Sequence, residues 1–145
     1  MDEETYFKER LEDQINWYSN KSMHAQKKYK LLKGVEIALS ASIPLVVGIT
    51  SGFEKWTVIV SLIGVIITTI EGWLSIAKYH ENWIEYRSIC ETLKHEKYMF
   101  LTKTGVYNTD NNFKYLVERV ESIISKENIN WANLNKKTIG GKVNG

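Results

Sequence analysis

Residues 35–53 read VEIALSASIPLVVGITSGF, and residues 56–76 read WTVIVSLIGVIITTIEGWLSI. Between Glu36 and Glu54 no charge occurs for 17 residues, and between Lys55 and Glu71 none for 15. Elsewhere Asp, Glu, Lys or Arg arrives every few positions. At about 1.5 Å per helical residue, the longer uncharged run covers roughly 25 Å, slightly short of a ~30 Å hydrocarbon layer. Taking in Val35, and carrying the second stretch to Ile76, brings both to spanning length with one glutamate near an end of each. The soluble alternative is a buried helical hairpin in a four-helix bundle. A core helix in so small a protein keeps one charged stripe, and residues 61–70 carry no charge at all. The first apolar block begins too late for a secretory signal peptide.

Only Gly52, Phe53, Glu54 and Lys55 separate the two stretches, so the spans form a tight antiparallel hairpin with both chain ends on one side. Lys21, Lys27, Lys28, Lys30 and Lys33 flank the first span, and Lys78, Arg87 and Lys94 follow the second, against Lys55 alone in the turn. The positive-inside bias therefore puts both termini in the cytosol. The lysines before the first span, Lys27, Lys28, Lys30 and Lys33, suit lipid phosphates better than DNA.

The averages hide this arrangement. The chain has 145 residues, 19 Lys and Arg against 17 Asp and Glu, and a net charge of +2. Its mean hydropathy is −0.29. These values argue against a strongly basic nucleic-acid binder and an acidic disordered chain. A single cysteine, Cys90, leaves no internal disulfide and fits a reducing compartment. A single proline, Pro44, favours long helices over a turn-rich β-sandwich.

Outside the apolar blocks the chain is amphipathic. Leu11, Ile15, Tyr18, Ser22, Ala25, Tyr29 and Leu32 repeat at alternating steps of three and four, as do Ile76, Tyr79, Trp83, Tyr86, Cys90, Leu93, Lys97 and Phe100. The economical reading is that each span continues into the cytosol as one helix. Thr104 to Asn112 then reads as a turn, and Phe113, Val117, Val120 and Ile124 mark a short amphipathic helix folding back on the arm. The fold class is all-α membrane protein. It is a two-transmembrane helical hairpin whose helices extend as an antiparallel coiled-coil-like arm, plus the C-terminal helix. Residues 1–132 form one domain: cytosolic helix 6–34, spans 35–53 and 56–76, cytosolic helix 77–103 and C-terminal helix 112–131. Residues 133–145 read as a disordered tail.

One feature inside the membrane bears on function. Thr57, Ser61, Gly64, Thr68, Glu71 and Ser75 form a small and polar stripe along a helix otherwise made of Val, Ile and Leu. Such a stripe avoids lipid. It packs closely against another helix or lines an aqueous path. Extending the cytosolic seam backward gives Gly72, Thr69, Val65, Leu62 and Val58 as the face toward the first span, leaving the stripe free for a neighbouring subunit or a pore axis. Glu71 is the sharpest candidate, because a ring of carboxylates in an oligomer attracts cations. The competing role is an ion pair with Lys78 or Lys33. Glu36 lies at similar depth and is the second charge-ring candidate, with a stronger competing role as an intrachain pair, since it falls on the seam beside the lysine-rich flank. Pro44 frees the carbonyl of Ser40 and is the hinge candidate.

No metal-ligand constellation, Walker loop, dinucleotide fingerprint or nucleophile elbow occurs. The chain reads as not an enzyme, with no cofactor and no nucleic-acid partner expected.

Arg10-Leu-Glu-Asp-Gln-Ile-Asn-Trp-Tyr18, Lys27-Lys-Tyr-Lys30, Ile43-Pro-Leu45, Glu71-Gly72 and Lys78-Tyr-His-Glu-Asn-Trp-Ile-Glu-Tyr-Arg87 resemble a bacterial two-transmembrane family of unknown function related to the SLATT group. The resemblance covers roughly residues 6–132. It implies a pore-forming effector in bacterial defence or stress responses, with any nucleotide sensor residing on a separate protein or in the arms. The function expected is a homo-oligomeric, cation-conducting pore in the cytoplasmic (inner) membrane. Its partners would be other copies of itself, membrane lipids and inorganic cations. The alternative is a membrane-anchored scaffold or adaptor whose arms recruit a partner.

Overall fold

In the computed structural model, residues 1–49 and 54–140 are described, with side chains for 1–49 and 56–127. The turn read at Gly52 and Phe53, the end of the first span and residues 141–145 lie outside them. Among the described residues every element is helical: α1 (Glu3–Tyr6), a π-helical stretch (Phe7–Glu12), α2 (Asp13–Ile49), α3 (Glu54–Ala77), α4 (Tyr79–Leu101), a 3-10 turn (Gly105–Tyr107) and α5 (Asn112–Gly140). The chain divides into two units. One comprises Met1–Ser19 with Arg87–Gly145, the other Asn20–Tyr86.

The first unit has a core of ordinary protein character. Asp2 caps α1, its Oδ1 accepting the Thr5 backbone N–H at 3.0 Å. Leu11, Ile15 and Tyr18 from the N-terminal helices, Cys90, Leu93 and Phe100 from α4, and Leu116, Val120 and Ile124 from α5 are all buried. Tyr6 meets Phe113 edge-on with ring centroids 5.7 Å apart, and Phe7 meets Phe100 at 5.3 Å. Thus α5 does fold back, as its apolar spacing predicts. Helix α4 ends in a Schellman closure: Thr104 N–H donates to Met99 and Lys103 N–H to Phe100, both at 3.0 Å. Lys103 takes the left-handed conformation (φ 51°) that glycine usually fills, and Gly105 follows at φ 63°. Helix α5 runs to Gly140, past the 131 read from the sequence. The tail 133–145 is therefore helical over 133–140, because no proline and no glycine stands before Gly140 to stop propagation.

The second unit is built differently. Ser22, Ala25 and Leu74 are its buried residues among those described. On the α2 portion, Leu32, Lys33, Glu36, Leu39, Ser42, Ile43 and Val46 are half-buried. On α3 the half-buried or buried row is Val60, Ile63, Ile67, Ile70, Leu74 and Ala77. This row corrects the expected register, since Val58, Leu62, Val65, Thr69 and Gly72 are all exposed and Ile76 is 79% exposed. The cause is Lys78. The second helix is not continuous there: α3 hands over to α4 at a left-handed Lys78 (φ 49°), so the heptad phase is reset. The Nδ2 of Asn82 donates to the Ala77 carbonyl at this junction (3.5 Å). Beyond it, Tyr79, Trp83 and Tyr86 are half-buried, on the expected seam.

Two helices are long and apolar enough to cross a membrane. Their most apolar stretches have mean hydropathies of 1.6 and 1.9, and 0% and 6% of those stretches is buried. A core helix of a soluble protein buries such a stretch; these do not.

Candidate functional site

The stripe on α3 lies off the half-buried row. Thr57, Ser61, Thr68, Glu71 and Ser75 are exposed and Gly64 is half-buried. The hydroxyl of Ser61 donates to the Thr57 carbonyl (2.8 Å), and that of Thr68 to the Gly64 carbonyl (3.0 Å). These back-bonds satisfy each O–H within its own helix and leave an oxygen lone pair outward. A Cβ built at Gly64 would meet nothing within 4 Å. The smallness of this position is thus not required by any contact among the described residues.

At the end of the stripe, three charges converge. Lys33 Nζ donates to Glu71 Oε2 at 2.9 Å and to Glu36 Oε1 at 3.3 Å. Glu36 Oε2 is 3.0 Å from the same ammonium but lacks hydrogen-bond geometry, and it is buried without another partner. The two acids therefore share one layer and one lysine. Their environments differ: the Glu36 side chain is 15% exposed and that of Glu71 57%. The hydrogen bonds that Lys33 donates to Glu71 and then to Glu36 hold it above its ordinary pKa, keeping it charged. One lysine thus faces two glutamates in this layer.

Lys27, Lys28 and Lys30 are exposed, whereas Lys33 is half-buried and committed to the acids. Lys28 lies over the Tyr79 ring (5.6 Å to the centroid) and Lys30 over the Trp83 ring (5.7 Å). Pro44 lies inside α2, which continues to Ile49. Nearby, the Ser42 hydroxyl donates to the Leu39 carbonyl at 2.7 Å.

The first unit holds a polar network that the sequence reading did not identify. Glu96 is buried and accepts a bidentate pair from Arg119, at 2.8 Å from Nε and 2.7 Å from Nη2. The Tyr107 hydroxyl donates to the same carboxylate. Burial pushes Glu96 upward, but Arg119 and Tyr107 together outweigh it and hold it below the usual carboxylate range. Arg10 makes a similar fork to Glu121 (2.9 and 2.8 Å), which lowers Glu121, and Tyr6 adds a hydroxyl at 3.2 Å. Tyr18 donates to buried Glu127 at 2.9 Å. A signal existed. Glu96 follows Leu93 by three residues and Glu127 follows Ile124 by three, so both acids sit on apolar faces where an unpaired charge is costly.

No curated protein and no solved structure matches the chain. A match to a known family covers residues 13–114, the heart of both amphipathic helices and everything between them. The chain belongs to the family described as "Protein of unknown function (DUF4231)".

Proposed function

We propose that the protein is a homo-oligomeric, cation-conducting pore of the cytoplasmic (inner) membrane, with 35–53 and 56–76 as an antiparallel pair of spans and both termini cytosolic. One observation carries the reading: Thr57, Ser61, Thr68 and Ser75 of the α3 stripe are exposed and a Cβ at Gly64 would meet nothing within 4 Å, so among the described residues the other helix engages the stripe at Glu71 alone, through Lys33. A second copy or a pore axis then takes it. The antiparallel pairing is supported by contacts whose numbers rise on one helix as they fall on the other. The Ser22 hydroxyl donates to the Trp83 carbonyl, the Tyr29 ring stacks near His80, and Lys33 pairs with Glu71. Thr57, Ser61, Gly64, Thr68 and Ser75 line the path, and Glu71, backed by Glu36, biases it toward cations. Lys33 holds that bias in check while it is bonded to both acids. A relation to the SLATT group fits this reading, and with it a role as effector in bacterial defence or stress, triggered by a separate sensor.

The test is ion flux from liposomes containing the purified chain, repeated with Glu71→Gln. Cation flux that loses its charge preference in the variant supports the pore. A folded protein that passes no ions, or that is monomeric or dimeric in detergent, overturns it. The competing scaffold reading draws on the first unit, whose own buried core suits a docking module. It predicts that Ser61→Leu leaves function intact while changes on the surface of that unit abolish it.

A further inference from the structure

A run of lysines beside a membrane attracts anionic lipid diffusely, each lysine counting alike. The second unit does not treat its lysines alike. Lys33 is spent on Glu71 and Glu36. Lys28 and Lys30, both exposed, are instead held over half-buried rings from the other helix, Tyr79 and Trp83. His80 stands between Tyr29 (4.9 Å) and Trp83 (5.7 Å), so the ring under Lys30 is itself packed in an aromatic row that bridges the two helices. A lysine over a ring keeps its charge and loses conformational freedom. Two such ammonium groups are therefore positioned in advance. Tyr and Trp rings at this point in the chain, close to the ends of both spans, suit the depth of lipid headgroups.

We propose that Lys28, held over Tyr79, and Lys30, held over Trp83, form a binding site for the headgroup phosphate of an anionic phospholipid. The site is assembled across two helices and excludes Lys33. It rests on the reading of 35–53 and 56–76 as membrane spans, and does not depend on ion conduction. Two fixed cations meet one phosphate, and the rings pack against the glycerol region.

The experiment is native mass spectrometry of the full chain in detergent, titrated with phosphatidylglycerol and, separately, with phosphatidylcholine. Phosphatidylglycerol is expected to be retained preferentially. Lys28→Gln and Lys30→Gln each weaken retention about fivefold. Tyr79→Leu, which keeps apolar bulk, weakens it severalfold, whereas Lys33→Gln changes it less than twofold. Equal retention of both lipids overturns the site. Equal losses from Lys28→Gln and Lys33→Gln also overturn it, because they describe a diffuse polybasic attraction. A chain that stays soluble and monodisperse without detergent overturns the membrane reading itself, and is distinguished from the other outcomes before any lipid is added.

Discussion

Leu93, Leu116 and Val120 in the first unit are 0% exposed, whereas Leu62 and Val65 in the second are 56% and 64% exposed. The side chains are chemically alike and their burial is not. The acids differ in parallel. Glu96 is buried under a guanidinium fork, and Glu71 is exposed and held by one lysine. A region that buries its own leucines has spent its apolar surface on folding. A region of long helices that leaves them bare has that surface still to place, against lipid or against other copies. The first unit therefore answers to the rules of a water-soluble core, and the second, read as a pair of spans, leaves its apolar surface for a bilayer or for other copies to cover.

The largest effect expected from this contrast is on Leu116→Ala. It opens a fully buried site and should cost about 3 kcal/mol in denaturant unfolding of the full chain, read from hydrogen exchange in α5. Leu62→Ala removes the same atoms from an exposed position and should cost under about 0.5 kcal/mol. Equal costs would break the comparison. Next comes Glu96→Gln, which leaves Arg119 without its counter-charge and should cost about 2 kcal/mol. It also changes the acid response. The folded-state value of Glu96 lies below the ordinary one. Its stabilisation is thus fully present above the ordinary carboxylate range and is lost as pH falls through the lowered value. The variant should show a shallower loss of stability in acid, measured by thermal unfolding below pH 5. Some slope remains, because Glu121 is lowered too and acts with the same sign.

Smaller effects sharpen the two backbone breaks. Gly105→Ala places a Cβ at φ 63° and 2.9 Å from the Met99 methyl group. The flexible methionine yields, so the cost is mainly the backbone, about 1 kcal/mol. Lys103→Gly removes a side chain from a left-handed position and should stabilise the first unit by less than about 1 kcal/mol. Lys78→Gly should do the same at the α3–α4 junction, seen as slower hydrogen exchange around 74–82. Unchanged exchange there would mean that Lys78 carries no strain.

Much of the local structure was legible in the sequence. The rows Leu11, Ile15, Tyr18 and Ser22, Ala25, Tyr29, Leu32 are buried or half-buried as their spacing predicts, and so is the row from Tyr79 to Phe100. Helical periodicity is a local property, and no proline or glycine interrupts these runs except Gly34 near the end of one. The seam across α3 was not legible, because one left-handed lysine breaks the phase between α3 and α4, and lysine carries no mark of a break. The candidate stripe was readable as a pattern, but which of its members stay exposed and which, as Glu71 does, meet the other helix was not. That depends on which row of α3 is covered.

The sequence by itself determined an all-helical chain, two apolar stretches of spanning length and the composition of every helical face, because these follow from residue order and backbone chemistry. Only the tertiary structure decided the partners. Lys33 joins Glu36 to Glu71, 38 residues away along the chain from Lys33. Arg119 closes over Glu96, and Lys28 and Lys30 settle on rings of another helix. Many charged pairings are compatible with one pattern of residues. The choice among them is made by which faces the folded helices bury, since burial sets both the cost of leaving a charge alone and the distance to the group that relieves it.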